Sequence, residues 1–530
     1  MYDVIIIGAG SAGCVLANRL SADPKRKVLL VEAGPVDRNP FIHIPAGVVR
    51  TFIDPAVAWR DFTQEEPGLH DRKIYLPHGK TLGGSSSING MAYVRGQPAD
   101  YDAWRDAGNP GWGYADVLPL FRRSERWEGA SSRFRSDAGE MGVSFPNVRH
   151  PASAAFIEAG KTVGLPELDD YNGDRQEGIA WLQYTVWKGR RSSTAVAFLK
   201  PARQRGNLTI RTGCCVLRVV IENHRATGIV VRTASGAEET LSAGEIVVSA
   251  GAIGSPQLLM LSGIGPAGHL RDRGIGTVSD LPGVGENLQD HLYVNVRMQV
   301  EPRFSMNSAT KFPGYVPHAL RYMLTRKGLL AMATTHCVAF VRSSERVERP
   351  DVQIMFRPYA FLIKGDRFVP EPIPTVTIST CFVRPCSRGT VRLNAADPLA
   401  TPAITANYLT DPRDLPVVLS GLRWIRRIMA AAPFRDHVRG MGEVAPGEAA
   451  QSDAELEAYC RDTGQTVYHP VGTCRMGTDA GSVVGADLRV HGIAGLRVCD
   501  ASIMPAICSG NTNAASVMIG EKGADLIGGA

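Results

Sequence analysis

The stretch "DVIIIGAGSAGCVLANRLS" (residues 3–21) joins a run of β-branched residues to a glycine-rich turn and then to apolar residues at helical spacing. Such a run is typical of a strand buried on both faces of a parallel sheet. The turn contains the G-x-G-x-x-G pattern at Gly8, Gly10 and Gly13. Gly8 permits the tight turn, Gly10 lets a pyrophosphate approach the backbone, and Gly13 lets the helix pack closely on the strand. Because a helix N-terminus attracts phosphate charge, the stretch predicts dinucleotide binding.

A second strand and an acidic residue complete this unit. "KVLLVEAG" (27–34) predicts a strand that carries Glu32, nineteen residues after Gly13. A carboxylate at this position accepts hydrogen bonds from ribose hydroxyls and repels a 2′-phosphate, which argues against NADP. With strand, helix, second strand and acid in place, dinucleotide binding is favoured over a chance glycine turn. The unit alone leaves both NAD and FAD open.

The composition is that of an ordinary globular enzyme. The chain has 530 residues, more than one hydrophobic core usually holds, so two or three domains are expected. It is 44% hydrophobic and 21% charged, with a net charge of +6. Because this charge is small and dispersed, nucleic acid is not expected as a partner.

The cysteines and the N-terminus bear on location. The ten cysteines form no C-x-x-C pair and no zinc-like spacing, so no metal site is expected. Cys14, in the glycine-rich turn, and Cys499, in an apolar run, are typical of small buried side chains, which favours reduced thiols and a cytoplasmic location. No basic region precedes the first strand, so no secretory signal is expected. No apolar run reaches the ~18–20 residues of a membrane span, and peripheral membrane association is left open.

Two further blocks are rich in small residues. "PHGKTLGGSSSINGMAYVRG" (77–96) would let a planar ring system lie on the backbone, with amides available as donors. A flexible linker is the alternative, but linkers rarely end in an apolar "INGMAYV". "EIVVSAGAIGSPQLLMLSGIGP" (245–266) predicts a strand, a glycine turn and a helix, and "LPGVGENLQDHL" (281–292) follows it.

These blocks, with "HGIAGLRVCDASIMP" (491–505) and "GNTNAASVMIGEKGADLI" (510–527), resemble the glucose–methanol–choline (GMC) oxidoreductase family, which binds FAD. The likeness runs from residue 2 to about residue 527 and is weakest through 297–375. It implies an α/β fold, α+β overall, in which a Rossmann-like FAD-binding domain joins a substrate domain built on an antiparallel sheet with helices. The expected FAD-binding domain comprises 1–148, 195–296 and 462–530, and the expected substrate-binding domain comprises 149–194 and 297–461.

Local patterns agree with this outline. Residues 208–236 predict successive strands. "TVTISTCFVRP" (375–385) and "GTVRLNAAD" (389–397) alternate as half-buried strands do. "LPVVLSGLRWIRRIMAA" (415–431) has the apolar spacing of a helix.

The resemblance places the catalytic base at the histidine of "TVYHPVGTCRMG" (466–477), which is His469. A histidine suits this role because its ordinary pKa is near neutral. The base would take the hydroxyl proton of an alcohol while the C–H gives a hydride to flavin N5. The family's second residue, a His or an Asn, falls here on Asn513, where an amide can hydrogen-bond the substrate oxygen. Asn511, two residues earlier, is interpreted as structural, and so is His291 in "QDHL".

Several residues are expected to hold the flavin. Asp500 matches a family acid that helps to hold it, and an N-cap role before "ASIMP" is a compatible alternative. Tyr468 is placed near the flavin, with simple packing as the alternative. Some relatives attach FAD through a histidine where this chain has Ile88, so non-covalent FAD is expected. The expected cofactor-binding residues are Gly8, Gly10, Ser11, Ala12, Gly13, Glu32, Ala33, Gly83, Ser87, Asn89, Gly90, Met91, Ala92, Val216, Ala250, Gly251, Tyr468, Asp500, Ala501, Asn511 and Thr512.

Among relatives, the chain resembles bacterial alcohol dehydrogenases acting on aliphatic primary alcohols. An uncharged alcohol is therefore expected first, a polyol or sugar (sorbose-type) second, and choline third, because no cluster of an acid with aromatics can be located. A dehydrogenase that passes electrons to a quinone or similar acceptor is favoured over an oxygen-using oxidase. Alternatives of another class are a flavin photodecarboxylase or lyase, and a non-enzymatic NAD-binding module.

Overall fold

Helices and strands alternate along the chain in an order that builds two large sheets. The structure is a computed structural model that describes residues 1–364 and 367–529. The helices are α1 (Ser11–Leu20), α2 (Pro40–His43), α3 (Val48–Thr51), α4 (Pro98–Asp106), α5 (Tyr114–Ser124), α6 (Pro151–Thr162), α7 (Lys200–Ala202), α8 (Gly251–Leu261), α9 (Ala267–Asp272), α10 (Tyr315–Thr325), α11 (Asp414–Met429), α12 (Ala432–Arg435), α13 (Asp453–Thr463) and α14 (Asn513–Gly528). The strands are β1 (Tyr2–Ile7), β2 (Val28–Glu32), β3 (Ala58–Phe62), β4 (Tyr75–Gly79), β5 (Glu125–Trp127), β6 (Met141–Val143), β7 (Gly178–Trp181), β8 (Val186–Trp187), β9 (Arg190–Arg191), β10 (Leu208–Thr212), β11 (Cys215–Glu222), β12 (Arg225–Arg232), β13 (Glu238–Val248), β14 (Ile264–Gly265), β15 (Ser279–Asp280), β16 (Leu292–Val300), β17 (Cys337–Val341), β18 (Val352–Arg357), β19 (Phe361–Lys364), β20 (Arg367–Pro370), β21 (Thr375–Phe382), β22 (Thr390–Arg392), β23 (Ala403–Thr405), β24 (Val438–Ala445), β25 (Gln465–Thr466) and β26 (Leu496–Val498).

The first large sheet collects strands from both ends of the chain. β10, β2, β1 and β13 lie side by side in parallel, and β26 pairs with the end of β13. The beginning of β13 pairs antiparallel with β12, which pairs with β11. Val28 and the residues after it in β2 are all buried, as are Ile5 and Ile6 of β1, because helices cover both faces of a parallel sheet. The Rossmann-like unit predicted from the first forty residues is confirmed.

The second large sheet is antiparallel, in the order β24, β16, β21, β18, β17, β7, with β25 beside β16. The helix predicted over 415–431 is confirmed as α11, which packs against β21. Gly421 lets it approach, since a Cβ there would overlap the side chain of Thr380. The prediction that 375–385 is half-buried is wrong, because every residue of β21 is buried. The strand predicted over 389–397 is only the short β22, paired with β23 outside the large sheet.

Two long helices from opposite ends of the sequence pack against each other behind the first sheet. α14 lies along α1 and also contacts α5. Small residues permit this approach: a Cβ on Gly520 would lie 2.8 Å from the carbonyl oxygen of Ala12. In the described part of the chain, no helix is both long enough and apolar enough to cross a membrane.

A buried carboxylate joins these three helices. Glu521 of α14 has no exposed side-chain surface and pairs with Arg19 of α1 at 2.7 Å and with Arg123 of α5 at 2.8 Å. Arg19 also pairs with Glu140 at 2.5 Å. Because a buried charge is stable only when paired, Glu521 depends on both guanidinium groups and they orient against it.

We expect Glu521→Ala to lower the free energy of unfolding by about 2 kcal/mol, because Arg19 and Arg123 lose their hydrogen bonds to a buried carboxylate while each keeps a second acidic partner. Thermal denaturation of the FAD-loaded protein measures this loss. Asp525→Ala is the matched control, since Asp525 is more exposed and pairs with the same Arg123 at 3.0 Å. An exposed ion pair contributes at most about 1 kcal/mol, so equal losses in the two variants would contradict the role given to Glu521.

Candidate active site

A cavity of about 510 Å3 lies where the two sheets meet. On one side it is lined by the carboxyl ends of β1 and β2 and by the beginnings of α1, α8 and α14. On the other side it is lined by Tyr293 of β16 and by Met355 and Arg357 of β18. The carboxyl edge of a parallel sheet is where open α/β folds bind nucleotides, and the cavity therefore extends from a nucleotide site to the second sheet.

The end of the cavity beside β1 and β2 is lined by backbone groups and by one carboxylate, that of Glu32. Gly8 has a φ of +99°, in the left-handed region, and a Cβ there would lie 2.5 Å from the oxygen of Ser249. Glu32 accepts from the N–H groups of Ala9 at 2.9 Å and Gly34 at 2.8 Å. Burial raises the pKa of Glu32 to about 7. Each carboxylate oxygen keeps a second lone pair, which a ribose hydroxyl can use.

Two helix N-termini face this cavity without side-chain caps. α1 begins after Gly10 and α14 begins after Thr512, and neither residue's side chain caps its helix. The first N–H groups of such helices have no intrahelical acceptor and carry the positive end of the helix dipole. These two ends therefore suit the pyrophosphate and the ring system of a bound FAD.

Most of the residues predicted to hold FAD line the cavity. Gly13, Gly83 and Ser87 do not line it and instead shape the neighbouring loops. A Cβ on Gly13 would overlap the carbonyl of Gly8, and the Ser87 hydroxyl donates to the carbonyl of Leu82 at 2.7 Å. The cavity-lining residues of the predicted set are Gly8, Gly10, Ser11, Ala12, Glu32, Ala33, Asn89, Gly90, Met91, Ala92, Val216, Ala250, Gly251, Tyr468, Asp500, Ala501, Asn511 and Thr512. The donors, small residues and helix ends present here fit FAD.

Asp500 ties the end of β26 to the beginning of α8. Its carboxylate accepts from the N–H of Gly251 at 2.9 Å and from the hydroxyl of Ser255 at 2.6 Å. It also accepts from the N–H of Ser502 at 2.8 Å, which confirms the predicted N-cap. The residue lines the cavity as well, so capping and a contact with the flavin remain compatible.

The structure brings Asn511, not Asn513, to His469. The Nδ2 of Asn511 lies 3.1 Å from Nε2 of His469, and its Oδ1 accepts from Gln353 at 3.2 Å. Asn513 is the first residue of α14, and its Oδ1 accepts from the hydroxyl of Ser11 at 2.9 Å. The expected partnership of Asn513 with His469 is therefore corrected. The helix begins between the two asparagines and turns the second one toward α1.

His291 fixes the proton on His469. The Nε2 of His291 lies 3.0 Å from the carbonyl oxygen of Val383, which can only accept, so this nitrogen carries hydrogen. Burial lowers the pKa of His291 to about 4, so the ring is neutral and its Nδ1 is an acceptor. That Nδ1 lies 3.0 Å from Nδ1 of His469, which must then be the donor. The lone pair of His469 is thereby left on Nε2, the nitrogen that faces Asn511.

A buried carboxylate holds the backbone of both histidines. Asp290 accepts from the N–H of His469 at 2.7 Å and from the N–H of His291 at 2.8 Å. It also accepts from the hydroxyls of Thr466 and Tyr408. Burial raises the pKa of Asp290 to about 6, although these hydrogen bonds oppose the shift. The carboxylate thus fixes the segment that carries His469 against β16.

The turn before His469 is strained. Tyr468 has a φ of 66°, in the left-handed region that non-glycine residues rarely adopt. Its N–H donates to the hydroxyl of Thr466 at 2.7 Å, and its ring packs edge-on against Phe52 at 4.6 Å. Tyr468 therefore packs on Phe52, and its place in the cavity lining is compatible with the predicted position near the flavin.

His469, the predicted base, is buried and neutral. Only 9% of His469 is exposed. Burial, followed by the nearby ring of His291, lowers its pKa well below 6.5. The Nε2 lone pair of this neutral imidazole accepts from the Asn511 amide, and it can accept a proton from a group that takes the place of that contact in the cavity.

The sequence is similar over its whole length to known oxidoreductases. Residues 2–293 match the N-terminal part of the GMC oxidoreductase family, and residues 385–520 match its C-terminal part. An alcohol dehydrogenase (acceptor) from Pseudomonas putida is 41% identical, covering 99% of this chain and 96% of its own. An oxygen-dependent choline dehydrogenase from Sinorhizobium fredii is 42% identical, covering 99% and 95%. The crystal structure of pyridoxine 4-oxidase from Mesorbium loti has a TM-score of 0.90 at 31% identity, covering 100% of both chains.

The fold, the cavity and these similarities define an FAD-dependent oxidoreductase that acts on CH–OH groups. The chain belongs to the GMC oxidoreductase family. The predicted family, cofactor and class of reaction are confirmed, and the reaction requires a small-molecule substrate and an electron acceptor.

Sequence analysis assigned His291 a structural role and did not single out Asp290. The signal was present in "NLQDHL", where an acid precedes a histidine directly before β16. The pairing of β16 with β25 brings this segment beside Thr466 and His469.

We expect His291→Ala to lower the rate of alcohol-dependent flavin reduction at least ~tenfold, because His469 loses the acceptor that fixes its tautomer. Bound FAD and its visible spectrum should not change. His291→Asn is the matched variant, since an amide offers one acceptor and one donor and should restore part of the rate. A normal rate in His291→Ala would contradict the positioning role.

Proposed function

We propose that this chain oxidises uncharged primary alcohols to aldehydes, with His469 as the base and Asn511 beside it. The observation that carries the proposal is the 3.1 Å contact between His469 Nε2 and the Asn511 amide inside the cavity. FAD supplies the hydride acceptor when it is bound. Non-covalent binding is proposed because Ile88, a buried apolar residue that lines the cavity, cannot form a bond to the flavin.

The side chains divide the work on the hydroxyl group. His469 takes the hydroxyl proton at Nε2. Its Nδ1 keeps its own proton, which stays in the hydrogen bond to Nδ1 of His291. The Asn511 amide donates toward the same space, so it can hold the substrate oxygen and stabilise charge that develops there. Gln353 keeps this amide oriented, because it occupies the amide oxygen.

An uncharged alcohol is proposed over choline because a positively charged side chain, that of Arg357, lines the cavity. Arg357 lines it, donates to the hydroxyl of Ser379 at 2.7 Å and lies 5.6 Å from the ring centre of Tyr293. Among residues 1–364 and 367–529, no carboxylate forms an ion pair with this arginine. A fixed positive charge disfavours a quaternary ammonium, although relatives named choline dehydrogenases are as similar as the alcohol dehydrogenase. A sugar or polyol remains the second candidate.

The proposed electron acceptor is a quinone or a similar molecule rather than oxygen. Support comes from the Pseudomonas putida relative, whose name specifies an acceptor. The arrangement of His469 with Asn511 favours alcohol oxidation over a photodecarboxylase or lyase, since it provides a proton acceptor for a hydroxyl group. A cytoplasmic location is part of the same proposal.

We expect His469→Ala to keep FAD bound and to lower anaerobic, alcohol-dependent flavin bleaching by roughly 10²-fold or more, because the proton acceptor is lost. Asn511→Ala should lower the same rate, and Asn513→Ala should leave more activity, since Asn513 bonds Ser11 instead of the base. Near-normal bleaching in His469→Ala would contradict the assignment of the base.

The pH profile gives a second test of the base. Because burial lowers the pKa of His469 below 6.5, the neutral base persists as the pH falls to 6.5 and is lost only below that value. The acid limb of kcat/KM for flavin reduction should therefore lie below pH 6.5. A limb centred above pH 7 would contradict a neutral, buried base.

We expect Arg357→Glu to raise the ratio of kcat/KM for choline to that for 1-hexanol at least ~tenfold, because the charge facing the substrate changes sign. Anaerobic flavin reduction by each substrate measures the ratio. Arg346→Glu is the matched control, since Arg346 is exposed and does not line the cavity. An unchanged ratio would show that Arg357 does not select against cations.

A further inference from the structure

One short segment has an unusually exposed apolar surface. Leu324 is 84% exposed, Phe312 is 77% exposed, Met323 is 64% exposed and Leu320 is 51% exposed. All four lie in or directly before α10. Large apolar side chains exposed in a contiguous group indicate an interaction site, whereas single ones do not.

The apolar residues form the outer face of α10. Val316, Leu320, Met323 and Leu324 follow the i, i+4, i+7, i+8 spacing that places side chains on one face of a helix. The opposite face is docked on the protein by Tyr322, which is 2% exposed and donates to the carbonyl of Gly189 at 3.0 Å. The helix is therefore held with its apolar stripe directed away from the protein.

The surroundings of this stripe are positively charged. Residues 302–344 contain no Asp or Glu. Beside the stripe, Arg321, Arg326 and Lys327 are exposed. The Lys and Arg residues of this stretch are Arg303, Lys311, Arg321, Arg326, Lys327 and Arg342.

The stripe is connected to the rim of the cavity. α10 contacts the turn Leu329–Ala331, and this turn contacts the turn Pro45–Gly47. The next residues along the chain, Val48, Val49 and Phe52, line the cavity. α10 is thus connected, through two short turns, to residues that line the cavity.

We propose that α10 docks on an anionic lipid bilayer, with its apolar stripe among the acyl chains and its basic residues on the headgroups. A helix with an apolar face and lysines or arginines beside it has the features of one that lies in the membrane interface. Its 11 residues span only roughly 16 Å, about half of the hydrocarbon core of a bilayer. The helix therefore lies in the plane of the membrane surface and does not cross it.

A second copy of the chain is the weaker candidate for the partner. In a twofold dimer, the same patch contacts itself. Arg321, Arg326 and Lys327 would then face their own copies, with no acidic residue in 302–344 to pair them. An anionic lipid surface supplies the opposite charge, whereas the same basic patch on a second copy does not.

Docking by α10 bears on the substrate, and this step rests on the proposed function. The rim of the cavity would lie against the bilayer, where long-chain alcohols and quinones are concentrated. The enzyme could then exchange both with the lipid phase. Binding to vesicles, by contrast, requires neither substrate nor catalysis and is tested without them.

The test is co-sedimentation of the FAD-loaded protein with vesicles of equal parts phosphatidylcholine and phosphatidylglycerol, and with vesicles of phosphatidylcholine alone. We expect binding to the anionic vesicles, weakened by added salt, and much weaker binding to the neutral ones. In Leu320→Ser/Met323→Ser/Leu324→Ser, the partition coefficient should fall roughly tenfold or more. Arg321→Glu/Lys327→Glu should lower binding to the anionic vesicles.

The matched control is Met441→Ser, because Met441 is 62% exposed but lies on β24, outside the stripe. It should bind as the wild type does. The triple variant changes only exposed positions, and an unchanged flavin spectrum and melting temperature will show that it folds. The proposal is overturned if the wild type does not bind anionic vesicles, or if the triple variant binds equally well. It is also overturned if light scattering shows a dimer that the triple variant converts to a monomer, without vesicle binding.

Discussion

The carbonyl oxygen of Val383 can only accept a hydrogen bond, and the direction of the hydrogen bonds at the base depends on that constraint. His291 must give it the hydrogen on Nε2, so the His291 ring can only accept from His469. The lone pair of His469 is then on Nε2, which lies beside the amide of Asn511. A single backbone group directly after β21 therefore decides which nitrogen of His469 keeps its lone pair. Asp290 adds the matching constraint on position, because one carboxylate holds the N–H groups of both histidines.

The two sheets contribute different properties to the site. The parallel sheet and its helices offer backbone N–H groups, small residues and positive helix ends, which suit a dinucleotide of any redox chemistry. The antiparallel sheet offers side chains, among them Gln353, Met355 and Arg357, at alternate positions of β18. Alternate residues of a strand point to the same face, so Gln353, which orients the Asn511 amide, shares one strand with Met355 and Arg357, which line the cavity. The proposed selectivity and the proposed proton transfer are thereby connected through β18.

Sequence reasoning predicted the nucleotide half well and the proton-transfer group only in part. The glycine turn and Glu32 were both identified from the sequence, because each acts on the backbone next to it and local patterns therefore reveal it. Asn511 and Asn513 differ only in which side of a helix start they occupy, and no local pattern places that boundary to within two residues. His291 lies 178 positions from His469, and only strand pairing brings them together. The half-burial predicted for β21 was wrong because the helix that covers it follows later in the chain. The predicted domain boundaries remain predictions.

The first sheet has a consequence for the order of events during synthesis. β1 is made first, but its neighbour β13 ends at Val248, and β26 is added only after residue 495. α14, whose beginning faces the cavity, emerges later still. Chains grow from the N-terminus at about 5–20 residues per second, so the glycine turn waits tens of seconds for the elements that close its pocket. During that interval β1 and α1 lack the contacts that β13 and α14 later make with them. The FAD-binding site is then incomplete. A nascent chain of this protein is therefore committed to late assembly, with its greatest exposure to aggregation before the last helix is released.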